Sequence, residues 1–370
     1  MSTPLASRAL EHRIGVDLGG TKIEAVVVAL PTTTGATAAP VELARARVDT
    51  NRTLGYDHVL SETRALILEV ARRAGVDPMV TPIGIGMPGS VTMRRPDGSR
   101  SDALLVKNSN TTCLNGRPFR ADLAKAVGRP IAFANDANCF ALAEATWGAA
   151  RGARVAFGVI LGTGVGGGVV LTNDAGQPRS WDGAQGIAGE WGHVVLDPVN
   201  GPECYCGRRG CIETYLSGPA IEAEYARRAG VRRKLVEIAA RAVTDPRAPN
   251  QARADFSGAR GRHASNENDN ESQNENENES DSENQIENDA IARALIEERV
   301  EIFGRALATV VDVLDPDVIV LGGGASNLGV LYDEGKRAVA RWVFNDDLAT
   351  KIVKNTLGDS AGVLGAALLP

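Results

Sequence analysis

The chain has 370 residues, more than one simple core accommodates, so two packed domains are expected. Its apolar content of 43% and its 41 glycines suit an α/β protein rich in tight turns, and no stretch is apolar for long enough to span a bilayer. The formal net charge of -6 rests on one segment, because residues 265–289 hold ten acids and no Lys or Arg; the mildly basic remainder is no argument for nucleic acid but suits an anionic substrate such as ATP.

Residues 1–13 lack a basic start followed by an apolar run, so no secretory signal is expected. Five cysteines do not form an even disulfide set, and three of them fall within eight residues. That crowding reads as metal binding in an intracellular protein, and the expected compartment is the cytoplasm.

In chain order, Ile14-Gly15-Val16-Asp17 and residues 23–29 read as strands joined by the glycine turn Leu18-Gly19-Gly20-Thr21-Lys22. Residues 31–40 read as a low-complexity loop. Leu60, Ala65, Leu68 and Val70 recur at helical spacing, predicting a helix over 56–75 that stops at Gly75. A buried strand is expected at 83–87, a helix at 119–127, a strand at 131–134 and a helix at 137–147 with Asn135-Asp136 at its mouth. Residues 155–171 repeat the opening arrangement: an apolar strand, the turn Leu161-Gly162-Thr163-Gly164-Val165-Gly166-Gly167-Gly168, then Val169-Val170-Leu171. Two such units roughly 140 residues apart suggest a duplicated fold. A long amphipathic helix over 291–314 precedes a buried strand at 318–321 that runs into Gly322-Gly323-Gly324. Strands alternating with helices give an α/β protein throughout. Residues 258–289 break the pattern, because their Asn/Glu/Ser composition cannot bury enough apolar surface to offset chain entropy. They are expected to form a disordered insertion on a loop.

Four clusters carry chemistry. The first turn lets backbone N–H groups approach an anion closely, with Thr21 and Lys22 adding a hydroxyl and a charge, and Asp17 stands where it can hold a metal ion. The second turn lacks the Gly-Lys-Ser/Thr ending of a Walker loop, and the strand after it argues against a dinucleotide fold. One turn from each half would clamp a nucleotide tail in a cleft. At the third cluster, Asn135 or Asp136 caps a helix, and Asp136 is also the best candidate to accept a hydroxyl proton in phosphoryl transfer. Its place at a helix N-terminus favours the ionised form. The fourth is His193 with Cys204, Cys206 and Cys211, one imidazole and three thiols for tetrahedral Zn²⁺, a full protein ligand set and therefore a structural metal. The His193 nitrogen not on zinc can face a ligand.

Together these residues resemble the ROK family (repressor, open reading frame, kinase) of bacterial sugar kinases, within the hexokinase/actin-like superfamily. The motifs Gly86-Met87-Pro88-Gly89, Asn135-Asp136-Ala137-Asn138 and Gly189-Glu190-Trp191-Gly192-His193 join the two turns and the cysteine knuckle in that resemblance. Lys107-Asn108-Ser109-Asn110 with Leu114-Asn115-Gly116, and the knuckle through Ile212-Glu213-Thr214, are similar to the fructokinase branch. The resemblance implies two ribonuclease-H-like domains around a central cleft: residues 1–134 with about 356–370, and residues 135–355. The second would carry the zinc knuckle over 193–211 and the acidic insertion over 258–289. It implies sugar contacts from Asn110, Asn135, Asp136, Glu190, His193 and Glu213, with Asp136 as catalytic base. It places ATP phosphates on Gly15, Val16, Asp17, Leu18, Gly19, Gly20, Thr21, Lys22 and on the turn from Leu161 to Gly168, and adenine near Gly322, Gly323 and Gly324. Mg²⁺ with ATP, structural Zn²⁺ and a homodimer are implied as well.

The expected activity is therefore ATP-dependent phosphorylation of a hexose, fructose first, with a glucose, mannose or N-acetylglucosamine kinase as the alternative. A sugar-sensing regulator needs a helix-turn-helix ahead of the sugar-binding body, and only sixteen residues precede Asp17. An inactive homologue disagrees with the presence of every phosphate and proton-acceptor position. No nucleic acid or membrane partner is expected.

Overall fold

A computed structural model describes residues 10–31, 39–95, 97–242 and 289–369. The predicted low-complexity loop and acidic insertion lie largely outside them. Asp289, expected at the end of the insertion, instead caps the helix that follows: its Oδ1 accepts from the Ala292 amide at 2.9 Å, and its other oxygen accepts from the Tyr225 hydroxyl. A short acceptor at the N-cap satisfies an amide the helix leaves unpaired.

Two five-stranded sheets share one topology. In the first, β1 (Leu10–Leu18), β2 (Lys22–Pro31) and β3 (Val41–Asp49) form an antiparallel meander, and β1 continues in parallel with β4 (Ile83–Met87), which pairs with β7 (Ala132–Asn135). Between them in sequence, β5 (Ser90–Arg94) and β6 (Arg100–Lys107) form a separate hairpin. In the second sheet β8 (Val155–Leu161), β9 (Val165–Thr172) and β10 (Pro178–Ser180) run antiparallel, and β8 pairs in parallel with β11 (Val318–Gly322), which pairs with β12 (Lys351–Lys354). The orders β3-β2-β1-β4-β7 and β10-β9-β8-β11-β12 correspond strand for strand, as two glycine-turn hairpins of equal design suggest.

On the first sheet, α1 (Tyr56–Ala74) buries Val59, Leu66, Ile67 and Val70, and stops at Gly75, whose φ of 67° suits a residue without Cβ. The next helix, α2 (Phe119–Val127), packs beside it through Phe119 and Leu123. The second core gathers around Phe303 of α7 (Ala290–Leu314), after α4 (Glu213–Leu216), α5 (Gly218–Ala229) and α6 (Leu235–Ala242). Against α7 lies α8 (Val330–Trp342).

Two segments cross between the sheets. Helix α3 (Asp136–Trp147) leaves the first sheet at β7 and lies against β8 and β9 of the second, and α9 (Ala361–Ala367) leaves the second sheet after β12 and lies on β1, β2 and β4. They pack closely on each other, a Cβ at Gly365 falling 1.8 Å from the Cys139 carbonyl oxygen. Helix α3 is apolar all round, with Ala137, Phe140, Ala141, Leu142, Ala143 and Ala145 buried, which is the composition of a helix enclosed on every side.

Candidate active site and metal centre

A cavity of about 240 Å³ opens where the elements of the two sheets meet. Asn110, Asn135, Asp136, Glu190, His193 and Glu213, separated by up to a hundred residues in sequence, all line it. So do Thr163, Gly164, Val165, Gly166 and Gly167 of the second glycine turn.

Asp136 stands at the seam, where β7 passes directly into α3. Asn135 does the capping: its Oδ1 accepts from the Ala137 amide at 2.9 Å, and its Nδ2 donates to the Gly89 carbonyl at 3.2 Å. Both ends of that amide are thus used within the protein. Asp136 gives one oxygen, Oδ1, to the same Ala137 amide at 2.8 Å while its carboxyl borders the cavity. Burial raises its pKa, against the lowering effect of the Ala137 amide. The expected pull of the helix mouth toward the ionised form is present in the amide hydrogen bonds to the carboxyl, but desolvation outweighs them.

Glu190 and His193 lie on a single helical turn, Trp191–His193, pinned by Trp191, whose indole Nε1 donates to the Ala306 carbonyl of α7 at 3.0 Å. Gly192 presses this turn onto β9, since a Cβ there would fall 1.9 Å from the Val165 carbonyl oxygen. Burial, then the neighbouring Asp136 and Glu213 carboxyls, push Glu190 up to about 7. Glu213, at the start of α4, accepts from the Val165 amide at 2.9 Å, tying the glycine turn to the segment that follows Cys211. Asn110 sits on a loop that Asn115 holds from both sides, accepting from the Ser109 amide at 2.9 Å and donating to its carbonyl at 3.0 Å. In that loop Asn108 adopts φ 58°, a left-handed conformation that clusters at ligand sites in non-glycine residues.

The first glycine turn flanks the cavity and does not line it. Gly20 comes up to Asn110, its missing Cβ 3.1 Å from Asn110 Oδ1. Burial chiefly, then the neighbouring Asp136 carboxyl, pushes Asp17 up to about 7. Lys22 lies 3.9 Å from the buried Glu24, which Arg47 also holds at 2.9 Å. Gly15 and Gly168, expected at phosphates, instead admit protein backbone: a Cβ would fall 2.1 Å from the Val363 oxygen and 2.3 Å from the Ala137 oxygen. Gly323 similarly admits the Leu161 carbonyl, so residues 322–324 abut the second turn and lie off the cavity wall. Bare backbone on one side and the Asp17 and Asp136 carboxyls on the other fit the phosphates of ATP and a divalent cation.

His193, Cys204, Cys206 and Cys211 place their ligand atoms within 4.8 Å of one another. Cys206 Sγ and Cys211 Sγ are 3.6 Å apart, too far for a disulfide and close to the ~3.8 Å that tetrahedral zinc imposes at a Zn–S distance of about 2.3 Å. Gly210, at φ 67°, makes the tight turn and lies against the Asp197 carbonyl. The donor set fits zinc. His193 turns Nδ1 toward Cys204 Sγ at 3.6 Å, leaving Nε2 on the cleft side. There it meets a residue that sequence reasoning passed over: the Tyr205 hydroxyl, 3.0 Å away, which also lines the cavity.

Two like sheets, a polar cleft between them and a cysteine knuckle on its wall define a hexokinase-like α/β protein. The ROK family profile matches residues 13–370, and the chain belongs to that family. Among curated relatives it is 33% identical over 366 residues to an N-acetyl-D-glucosamine kinase of Photobacterium profundum, covering 96% of this chain and 98% of that protein. It is 31% identical, with the same coverage, to the corresponding kinase of Aliivibrio fischeri. Among solved structures it resembles a ROK hexokinase from Thermus thermophilus (TM-score 0.67, 29% identity, 96% of this chain and 97% of that one). It also resembles a ROK glucokinase from Streptomyces griseus in complex with glucose and AMPPNP (TM-score 0.65, 27% identity, 98% and 99%).

Proposed function

We propose that this chain transfers the γ-phosphate of ATP to a hexose hydroxyl, and that the acceptor it uses best is N-acetyl-D-glucosamine. The observation that carries the reaction is Asp136: a half-buried residue with one carboxyl oxygen committed to a backbone amide, on the wall of a polar sugar-sized cavity that a glycine turn of bare backbone also lines. The aminosugar draws its support from the curated relatives, which are N-acetyl-D-glucosamine kinases. Fructose, the acceptor expected from the local motifs, has no such support.

In this reading Asp136 accepts the proton of the attacking hydroxyl, and its raised pKa brings it nearer the operating pH, where a general base is most effective. Asn110, Glu190, His193 and Glu213 orient the sugar. The amides of the second turn and Lys22 would face the phosphates, and Asp17 would hold a Mg²⁺ that supplies positive charge there. The cysteine knuckle fixes His193 and, two residues beyond Cys211, Glu213. We assign residues 1–134 with 356–370 to one domain and 135–355 to the other, which the packing of α9 and α3 supports. Consumption of ATP suits the cytoplasm, and no helix among the described residues is long and apolar enough to cross a membrane.

The test is a coupled assay of the purified protein with ATP and separate sugars. N-acetyl-D-glucosamine should give the highest kcat/KM. A tenfold higher value with fructose would overturn the acceptor, and turnover of no sugar would overturn the reaction.

A further inference from the structure

Tyr205 stands between two cysteines of the metal cluster, so whatever fixes Cys204 and Cys206 fixes its backbone as well. Its ring meets His193 edge to face, with centroids 5.2 Å apart at 84°, and its hydroxyl lies 3.0 Å from Nε2. Nδ1 faces the thiols, so with a metal bound there the neutral imidazole would carry its proton on Nε2 and donate it to the Tyr205 oxygen. The residue is 64% exposed, yet it reaches the polar wall that Glu190 and Glu213 also line. It thus combines a hydroxyl against the one cleft-facing histidine nitrogen with an open aromatic face.

We propose that Tyr205 is a specificity-determining residue of the acceptor site. In the ligand-free cleft its hydroxyl holds the place on His193 Nε2 that a sugar oxygen takes, and an entering hexose displaces it. The displaced ring then offers its face to an apolar group on the sugar, which a 2-acetamido substituent carries and a plain hydroxyl does not. An exposed phenol exchanges its histidine partner for water at little cost, so the latch is weak enough to open. This inference rests on the hexose-kinase reading and refines it.

The two halves of the proposal separate in two variants. Tyr205→Phe keeps the face and removes the latch. Calorimetric binding of N-acetyl-D-glucosamine and of glucose, without nucleotide, should tighten about two- to tenfold, the worth of one net hydrogen bond. The change should appear in KM rather than in kcat. Tyr205→Ala removes the face too, and the preference for the acetamido sugar over glucose in kcat/KM should fall about tenfold, the scale of one apolar group in a pocket. Metal content, measured on both variants, checks that the knuckle is intact, and the Phe variant alone decides the latch if the Ala variant loses metal. Unchanged or weaker sugar binding by Tyr205→Phe overturns the latch, and an unchanged sugar preference in a metal-replete Tyr205→Ala overturns the specificity role. A wild-type protein that phosphorylates no hexose defeats the underlying reading instead, so the two failures are distinct.

Discussion

Glu144 is a carboxylate in helix α3 with no solvent exposure, and backbone amides and one hydroxyl among the described residues donate to it. Its Oε1 accepts from the Thr356 amide at 3.1 Å and the Leu357 amide at 2.9 Å; its Oε2 accepts from the Ala149 amide at 2.8 Å and the Thr356 hydroxyl at 3.3 Å. Thr356 and Leu357 belong to the strand-to-helix link from β12 to α9, so one side chain fastens both crossings between the sheets. Gly148 is shaped to admit it, since a Cβ there would fall 2.0 Å from Oε2. Hydrogen bonds to a charged acceptor contribute about 1.5–3 kcal/mol each, and a buried donor left unpaired costs about 1–3 kcal/mol. These terms do not add fully, and Glu144→Ala should cost about 3–5 kcal/mol, with Glu144→Gln losing roughly half as much because one carbonyl oxygen remains. Urea unfolding monitored by tryptophan fluorescence, with hydrogen exchange at residues 355–358, measures this. The exchange of those amides should rise before that of the β8–β11 core. A loss below about 1 kcal/mol in Glu144→Ala, or unchanged protection at 355–358, would refute the fastening role.

Asp136→Asn should keep sugar binding while kcat falls about 10²–10⁴-fold, the range of a general base, and an amide variant retaining more than half the wild-type rate removes Asp136 from the chemistry. Metal analysis of protein purified without a metal-binding tag should find one zinc per chain. Chelation should weaken sugar binding more than ATP binding, through His193 and Glu213, and a disulfide among Cys204, Cys206 and Cys211 would contradict the site. Asp17 and Glu190 both hold their protons more tightly in the folded protein, each rising to about 7 from 3.8 and 4.5. The stability they contribute to the ligand-free protein is therefore fully present below about pH 4 and is lost as pH rises through about 7. Asp17→Asn and Glu190→Gln should each flatten that decline in thermal melts taken from pH 4 to pH 8, and slopes equal to wild type would show that neither carboxyl is desolvated.

What the sequence revealed was local. The two glycine-turn hairpins, the helix over 56–74 and the knuckle are each written in a few neighbouring residues, where strand period, a stop glycine or cysteine spacing suffices. Residues 90–107 were missed as a hairpin because their buried positions, Ser90, Ser101, Leu105 and Val106, follow no regular apolar alternation, although Asp97-Gly98 is a turn signal. The choice between Asn135 and Asp136 as the cap is invisible in one dimension, since both residue types cap equally well. Glu144 did leave a trace: a lone carboxylate in Ala-rich, all-round apolar sequence asks for buried donors. Tyr205 left none, because its meaning depends on a histidine ring twelve residues away. Gly15 and Gly168 carry a second meaning: the resemblance places both at phosphates, and in the structure each also makes room for a crossing helix.

Asp136 illustrates how position and burial divide the control of one group. Its place at the mouth of α3 contributes roughly 0.3–1 kcal/mol toward ionisation, and up to about 2 kcal/mol where partly buried. Desolvation at the seam between two sheets acts the other way, and it outweighs the Ala137 and Asp136 amides that lower the group. A carboxylate kept low by its helix would be a stable anion and a poor proton acceptor. One raised by burial holds its charge less willingly and takes a hydroxyl proton more readily. Asn135, which cannot ionise, shares the Ala137 amide with Asp136, so one Asp136 oxygen is committed at the helix mouth while its carboxyl still borders the cavity.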